Sequence, residues 1–312
     1  MSKLMHKPIP YGRQTIDDSD IEAVRQALGQ DFLTQGPTVG AFESEIEGFT
    51  TVSHAAAVSS ATAALHLAYR GLDLDVGNSL WTSPITFVST ANAARLCGAG
   101  VDLVDIDAST GNMCPQKLED KLGRSAKNNT LPKLVVPVHL GGASCDMEAI
   151  RHACNQYEVD VVEDASHALG GLYQGKPVGS CEFSDAAIFS FHPVKMITTG
   201  EGGCVATNRK ELAEAVYKLR SHGITKTDNE FLSEADGGWY YEQHQLGFNY
   251  RITDIQASLG ISQLKRLDKT VKEKMKIGKY YYNNITNKDI YIQPPEISYS
   301  KNIYWVIGVL IK

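Results

Sequence analysis

The run Ser190-Phe191-His192-Pro193-Val194-Lys195, followed by Thr198-Thr199-Gly200-Glu201-Gly202-Gly203, places a lysine between two apolar stretches, just ahead of a glycine-rich turn. A lysine packed between two apolar strands is partly desolvated and its pKa falls. The neutral amine that results is the form that makes a Schiff base with an aldehyde. The same spacing also suits a plain solvated loop lysine.

A second group lies in Val159-Asp160-Val161-Val162-Glu163-Asp164-Ala165-Ser166-His167. Asp164 falls where an apolar run ends, the edge at which open α/β sheets place their ligands. A carboxylate there can hold the protonated ring nitrogen of a heterocycle such as pyridoxal 5'-phosphate (PLP), which keeps the ring an electron sink; the alternative is a helix N-cap. His167 reads either as a neighbour of the same ring or as a loop histidine. Ser59-Ser60-Ala61-Thr62-Ala63-Ala64 reads as a small-residue turn from strand to helix, whose free N–H groups and helix dipole suit a phosphate, although such turns are common.

These residues need a scaffold that brings several strand ends together. Short β-rich runs occur at His54–Val58, Val101–Val104, Leu134–Val138, Val159–Val162, Ala186–Phe189 and Gly203–Thr207. Helical spacing occurs at Asp17–Gln30, from Thr38 through Ile46, and at Ala63–Arg70, Phe87–Leu96, Pro115–Leu122 and Met147–Gln156. Alternating strands and helices with near-continuous apolar strands predict an α/β layer on a mostly parallel sheet. The last two runs lack a helix between them, so antiparallel pairing is expected there. Helical periodicity from Ile252 to about Tyr282 gives way to Asn283, Asn284 and Pro294-Pro295. We therefore divide the chain into a large domain over residues 1–282 and the beginning of a small, truncated C-terminal domain over 283–312. Its one expected strand, Tyr304–Ile311, finds no partner in the remaining sequence.

Composition bounds the function classes. The chain has 312 residues, 43% hydrophobic and 21% charged, which is ordinary for a folded domain with a large core. A formal net charge of −6 implies no general affinity for nucleic acid. No stretch reaches the roughly 18 uninterrupted apolar residues of a spanning helix, and residues 1–10 lack the apolar core of a secretion signal. The expected location is the cytoplasm, with no membrane partner. Six scattered cysteines without a CxxC pair and nine histidines without an HxxxH or HExxH spacing predict reduced, mostly buried thiols and no metal site.

SFHPVKMITTGEGG (190–203), VVEDASHALG (161–170), RSHGI (220–224) and LGFNYRITDIQASLGISQLKRL (246–267) together resemble the DegT/DnrJ/EryC1/StrS family of sugar-nucleotide aminotransferases. Four separated motifs agree in order and spacing, and the likeness runs from about Pro8 to Arg266. The resemblance implies the type I fold of aspartate aminotransferase, with PLP as cofactor. It implies that Lys195 bonds the cofactor aldehyde and that Asp164 pairs with the ring nitrogen. His167 falls beside the ring hydroxyl, where the family more often has Gln, and Phe87 at the stacking aromatic. Ala61, Thr62 and Ser190 match phosphate-side positions. Asn249 matches an asparagine reaching the phosphate from the other subunit, which implies a homodimer with a shared active site. Tyr11, Asp31, Phe32, Leu33 and Thr34 match sugar-nucleotide contacts; read without the family, Phe87 suits a core and the last five suit turn and helix-end packing.

Members that dehydrate sugars carry histidine in place of the lysine, so Lys195 implies amino transfer. The activity implied moves an amino group from L-glutamate to C4 of a UDP-linked 4-keto-6-deoxy-N-acetylhexosamine, in pseudaminic acid biosynthesis. The alternatives are transfer at C3 or on a dTDP- or GDP-linked sugar, and a catalytically silent relative with a binding or regulatory role.

Overall fold

A computed structural model describes residues 12–287, 290–292, 296–305 and 309–311. The chain opens with α1 (Asp18–Leu28), started by a capping box in which Asp17 and Asp20 satisfy each other's backbone N–H groups. Pro37 occupies the first turn of α2 (Pro37–Thr50), where its missing N–H does no harm. Then come β1 (His54–Val58), α3 (Ala61–Gly71), β2 (Ser79–Thr82), α4 (Ser89–Leu96), β3 (Gly100–Leu103), α5 (Pro115–Lys127), β4 (Leu134–Val136), α6 (Met147–Asn155) and β5 (Asp160–Asp164). A small hairpin, β6 (Leu172–Tyr173) and β7 (Lys176–Pro177), precedes β8 (Ala186–Ser190), β9 (Gly203–Thr207) and α7 (Lys210–Leu219). The chain continues through β10 (Ile224–Thr225), β11 (Glu242–Gln243), α8 (Asp254–Leu264) and α9 (Leu267–Asn284). Four short strands follow: β12 (Ile290–Ile292), β13 (Glu296–Ile297), β14 (Ser300–Lys301) and β15 (Val309–Ile311).

The main sheet has the order β1-β9-β8-β5-β4-β2-β3. Its pairs are parallel except at β9, which runs antiparallel to both β8 and β1. The antiparallel step follows from the connection between β8 and β9, which contains no crossover helix. Alternate strand residues feed two cores, as the pleat requires. Ala55, Ala57, Phe189 and Cys204 face the layer of α2, α5, α6 and α8, whereas Ala56, Val58, Ile188 and Val205 face that of α3, α4 and α7. Buried Phe42 on α2 meets buried Phe191 edge-on at 5.2 Å. Each such buried ring stabilises the fold by about 1.5–3 kcal/mol, and this pair ties α2 to the loop carrying Lys195. Five cysteines are buried, Cys114 is half-buried, and all six are free thiols.

The mixed α/β sheet matches the expectation, with several local differences. β2 and α7 were not anticipated: Ser79–Thr82 is too short to show alternation, while α7 does bury Leu212, Ala213, Val216 and Leu219 along one face. The single helix expected from Ile252 is two. At Arg266 the backbone leaves helical geometry (φ −115°, ψ 9°), and its guanidinium turns onto Asp17 and Asp20. The expected Tyr304–Ile311 strand is also corrected. Tyr304 is buried with φ 51°, outside the extended region, and the strand is Val309–Ile311, which pairs with Ile290–Ile292. Within residues 296–305, β14 pairs with β6 in a small four-stranded sheet of order β13-β14-β6-β7, and the Ser144 N–H donates to Ser300 Oγ at 2.9 Å.

Candidate active site

Asp164 ends β5 and is 5% exposed. Its backbone is held on both sides, its N–H donating to the Pro137 carbonyl and its own carbonyl accepting from the His139 N–H. Oδ2 accepts from Thr90 Oγ1 at 2.7 Å, and Oδ1 accepts from the Ser166 N–H at 3.2 Å. Among the described residues the carboxylate forms no ion pair, although a buried charge normally has a counter-charge. The adjacent Glu163 points into a separate buried cluster, accepting from Ser184 Oγ at 2.5 Å and from His139 Nε2 at 2.7 Å. The Cys145 N–H donates to His139 Nδ1, so Nε2 carries that proton.

Lys195 lies in the loop that leaves β8 at Ser190 and re-enters the sheet at Gly203. The Phe191 carbonyl accepts from Thr198 Oγ1 and the Thr199 N–H, each at 3.0 Å, which closes the loop on itself. The Lys195 N–H donates to the His192 carbonyl. Burial depresses the ε-amine's pKa to about 8, and the charge of Asp164 opposes part of that fall. Nζ sits 3.9 Å over the Trp305 ring. His167, three residues past the end of β5, stacks on the same indole at 3.8 Å and 17°. Burial, with the nearby Lys195 charge adding to it, pushes its pKa down to about 3, so His167 is neutral. The Gly141 N–H points at Nδ1 at 3.4 Å, which leaves the proton on Nε2.

The turn before α3 lies against β9. In register, Gly203 faces Val58 on one side and Ser190 on the other. A Cβ at Gly203 would lie 2.5 Å from the Ala61 nitrogen and 2.6 Å from the Ser60 carbonyl, so only glycine lets the strand approach this turn. Ser60 caps α3 by accepting from the Ala63 N–H at 3.1 Å. Ala61 and Thr62 are half-buried, at a helix start suited to an anion. Thr62 Oγ1 meets Ser89 Oγ at 2.8 Å, and Ser89 precedes Thr90. One polar line thus runs from the α3 turn through the start of α4 to Asp164. Phe87, 68% exposed, stands three residues before Thr90 and is not a core residue.

The structure therefore gathers Ala61, Thr62, Phe87, Asp164, His167, Ser190 and Lys195 at one edge of the sheet. Asn249 is exposed and lies beside Ser221 in an antiparallel bridge, one residue before Tyr250, whose carbonyl accepts from the Ser59 N–H. Asp31, Phe32, Leu33 and Thr34 are exposed, and this segment is anchored on the start of α8, the Leu33 carbonyl accepting from the Asp254 N–H and Thr34 bridging Thr253. Tyr11 lies outside the described residues. Two site residues escaped the sequence reading. Thr90 had a weak signal, a hydroxyl one turn after Phe87. Trp305 had none, because 110 residues separate it from Lys195. A cavity of about 370 Å³ opens beside Lys195 and Trp305 and is also lined by Arg13, Lys269, Glu273 and Lys274.

A near-neutral amine, a buried carboxylate and an anion-suited turn on one sheet edge define an α/β enzyme for a phosphate-bearing aromatic aldehyde. The sequence profile of the DegT/DnrJ/EryC1/StrS aminotransferase family matches residues 14–312. The chain is 43% identical over 273 residues to UDP-4-amino-4,6-dideoxy-N-acetyl-beta-L-altrosamine transaminase of Campylobacter jejuni, covering 88% of this chain and 68% of that protein. Among solved structures it is similar to Helicobacter pylori PseC, an aminotransferase involved in the biosynthesis of pseudoaminic acid (TM-score 0.86, 32% identity, 98% of this chain and 78% of that one). Another similar structure is the PLP form of Spr1654 from Streptococcus pneumoniae (TM-score 0.85, 25% identity, 97% and 78%). The chain belongs to the DegT/DnrJ/EryC1/StrS family and is a PLP-dependent aminotransferase. The residues suit that cofactor: a carboxylate without an ionic partner among the described residues can take a ring N–H, and the glycine-lined α3 turn leaves room for phosphate.

Proposed function

We propose that this chain transfers an amino group from L-glutamate to C4 of a UDP-linked 4-keto-6-deoxy-N-acetylhexosamine, a step of pseudaminic acid biosynthesis. The observation that carries the amino-transfer reading is the half-buried Lys195 amine with a pKa near 8, under the influence of a buried carboxylate that has no ionic partner among the described residues. The substrate follows from the similarity to the Campylobacter transaminase and the Helicobacter enzyme. A homodimer working in the cytoplasm completes the reading, with residues 1–282 as the cofactor domain and 283–312 as part of a smaller one.

Bound at this edge, PLP would supply an electron sink for negative charge at the donor's Cα. Asp164 holds the proton on the ring nitrogen, and Thr90 and Ser166 keep its carboxylate oriented for that. His167, neutral with Nε2 protonated, donates toward the ring hydroxyl. Phe87 offers its exposed ring as a stacking face. Ala61, Thr62 and Ser190 hold phosphate, joined by Asn249 of a second copy. Lys195 removes the Cα proton from glutamate and, in the second half-reaction, delivers one to C4 of the sugar. General acid–base help of this kind contributes about 10²–10⁴-fold. Tyr11 and the Asp31, Phe32, Leu33 and Thr34 segment hold the sugar nucleotide.

The test is to load the purified protein with PLP and add L-glutamate. Expected are bleaching of the visible cofactor band with stoichiometric 2-oxoglutarate, then recovery of the band on adding the UDP-4-keto sugar. No bleaching by glutamate, or near-normal amino-sugar production by Lys195→Ala, would overturn the reading. Recovery only with a 3-keto, dTDP- or GDP-linked sugar would overturn the substrate alone.

A further inference from the structure

The Trp305 indole is held from several directions. Its Nε1–H donates to the Val194 carbonyl at 2.8 Å, its backbone N–H donates to the Gly141 carbonyl at 2.9 Å, and its own carbonyl accepts from Lys274 Nζ at 3.5 Å. These contacts fix the ring plane beside the residue that precedes Lys195. One ring then meets two site groups, the His167 imidazole at 3.8 Å and Lys195 Nζ at 3.9 Å. Trp305 thus touches both groups and turns a π face to the lysine.

We propose that Trp305 is a positioning residue: its indole face receives the Lys195 ε-ammonium whenever that amine is not bonded to the cofactor. This rests on the reading of Lys195 as the cofactor-bonding residue. The reaction needs that lysine to leave the cofactor, act at a proton, and return. A flexible four-carbon stem would otherwise scatter the amine over many rotamers. The negative face of a fixed indole gives the cation a preferred position by cation–π attraction. Among the described residues Lys195 has no carboxylate within ion-pair distance, so the ring is its nearest favourable contact. The titratable groups that act on it are Asp164 on β5 and His167 in the turn beyond, and the cavity it lines is shared with Arg13, Asp17, Arg266, Lys269, Glu273 and Lys274. Asp164 favours the charged amine; burial opposes it.

The test compares Trp305→Phe with Trp305→Leu in the full chain loaded with pyridoxamine phosphate, where the Lys195 amine is free. Phenylalanine and leucine are similar in bulk, so their difference isolates the aromatic face from desolvation. The pH dependence of Lys195 acetylation, read by mass spectrometry, reports the amine's titration. The Leu variant should titrate lower than wild type by about 0.4–1.5 pH units, the range expected for a cation–π contact, with the Phe variant between them. Identical titration of the Phe and Leu variants would overturn the proposal. A second measurement leaves Trp305 in place. In a Trp81→Phe/Trp239→Phe background its fluorescence should inflect at the Lys195 titration and lose that inflection in Lys195→Met; a flat emission profile would also overturn it. Borohydride fixation of the PLP form separates the two claims, because pyridoxyl on a residue other than Lys195 refutes the reading of the lysine and leaves the indole contact standing on its own titration.

Discussion

The Thr90 hydroxyl donates to Asp164 Oδ2 at 2.7 Å inside the protein, across 74 residues of sequence. Thr90 is itself buried and its Oγ1 also meets Thr86 Oγ1 at 2.7 Å, so the start of α4 fixes the orientation of the carboxylate at the end of β5. A hydrogen bond to a charged group contributes about 1.5–3 kcal/mol. Thr90→Val keeps the shape and removes the donor. PLP affinity of this variant should fall by about 10–100-fold, as measured by titrating the visible cofactor band; unchanged affinity would show that Asp164 needs no such anchor.

The Lys195 amine, lowered to about 8 by burial against the pull of Asp164, sets how cofactor loading depends on pH. Only the neutral amine attacks an aldehyde. Loading of the cofactor-free protein should therefore accelerate through neutrality and level off above pH 8, the rate at pH 7 being roughly one-tenth of the plateau. His167, at about 3, is neutral throughout and adds no inflection between pH 5 and 9. Stopped-flow absorbance across that range tests this, and a midpoint near 10 would place the amine in water.

Gly203→Ala probes the close approach of β9 to the α3 turn. The added methyl would meet backbone atoms of Ser60 and Ala61, which cannot swing aside as a side chain could. Overpacking of this kind is destabilising by about 1–3 kcal/mol. Thermal unfolding should shift down, and phosphate-dependent PLP retention should weaken with it. Retention equal to wild type would mean that the turn has room to relax.

Stability away from the site should depend on Asp185. This carboxylate, 6% exposed, accepts from Arg151 at 2.9 Å, Arg209 at 3.0 Å and the Val161 N–H at 2.8 Å. Burial favours its neutral acid, but these hydrogen bonds outweigh burial and hold its pKa below 3.8. A depressed carboxylate pKa stabilises the fold fully above the unfolded value and loses that contribution as pH falls through the folded one. Asp185→Ala also leaves the Val161 N–H without its acceptor, a loss of about 1–3 kcal/mol. Urea unfolding should give that gap at pH 7 and a shrinking gap below pH 3.8; a constant gap down to pH 2 would assign the loss to packing alone.

Much of the frame was legible because strands covered on both faces must be continuous apolar runs. That is why β1 and β9 fall where the residues place them, and why the missing crossover helix foretold an antiparallel step at β9. Legibility failed where local pattern carries no information. β2 has only four residues, and β4 stops before Pro137, which has no N–H to give the ladder. The helix expected from Ile252 breaks at Arg266 because that guanidinium is drawn to Asp17 and Asp20, nearly 250 residues away in sequence.

The sequence by itself determined which groups carry charge and nucleophilicity, Lys195 and Asp164 above all, and the strand ends from which they project. Residue type and hydrophobic period are local properties, and a strand's end is set within a few residues. Only the tertiary structure decided what surrounds those groups: the Thr90 donor on Asp164, the depression of the Lys195 amine, and the indole of Trp305 against both lysine and histidine. Desolvation and hydrogen bonding depend on which distant segments pack together, and no spacing along the chain records that.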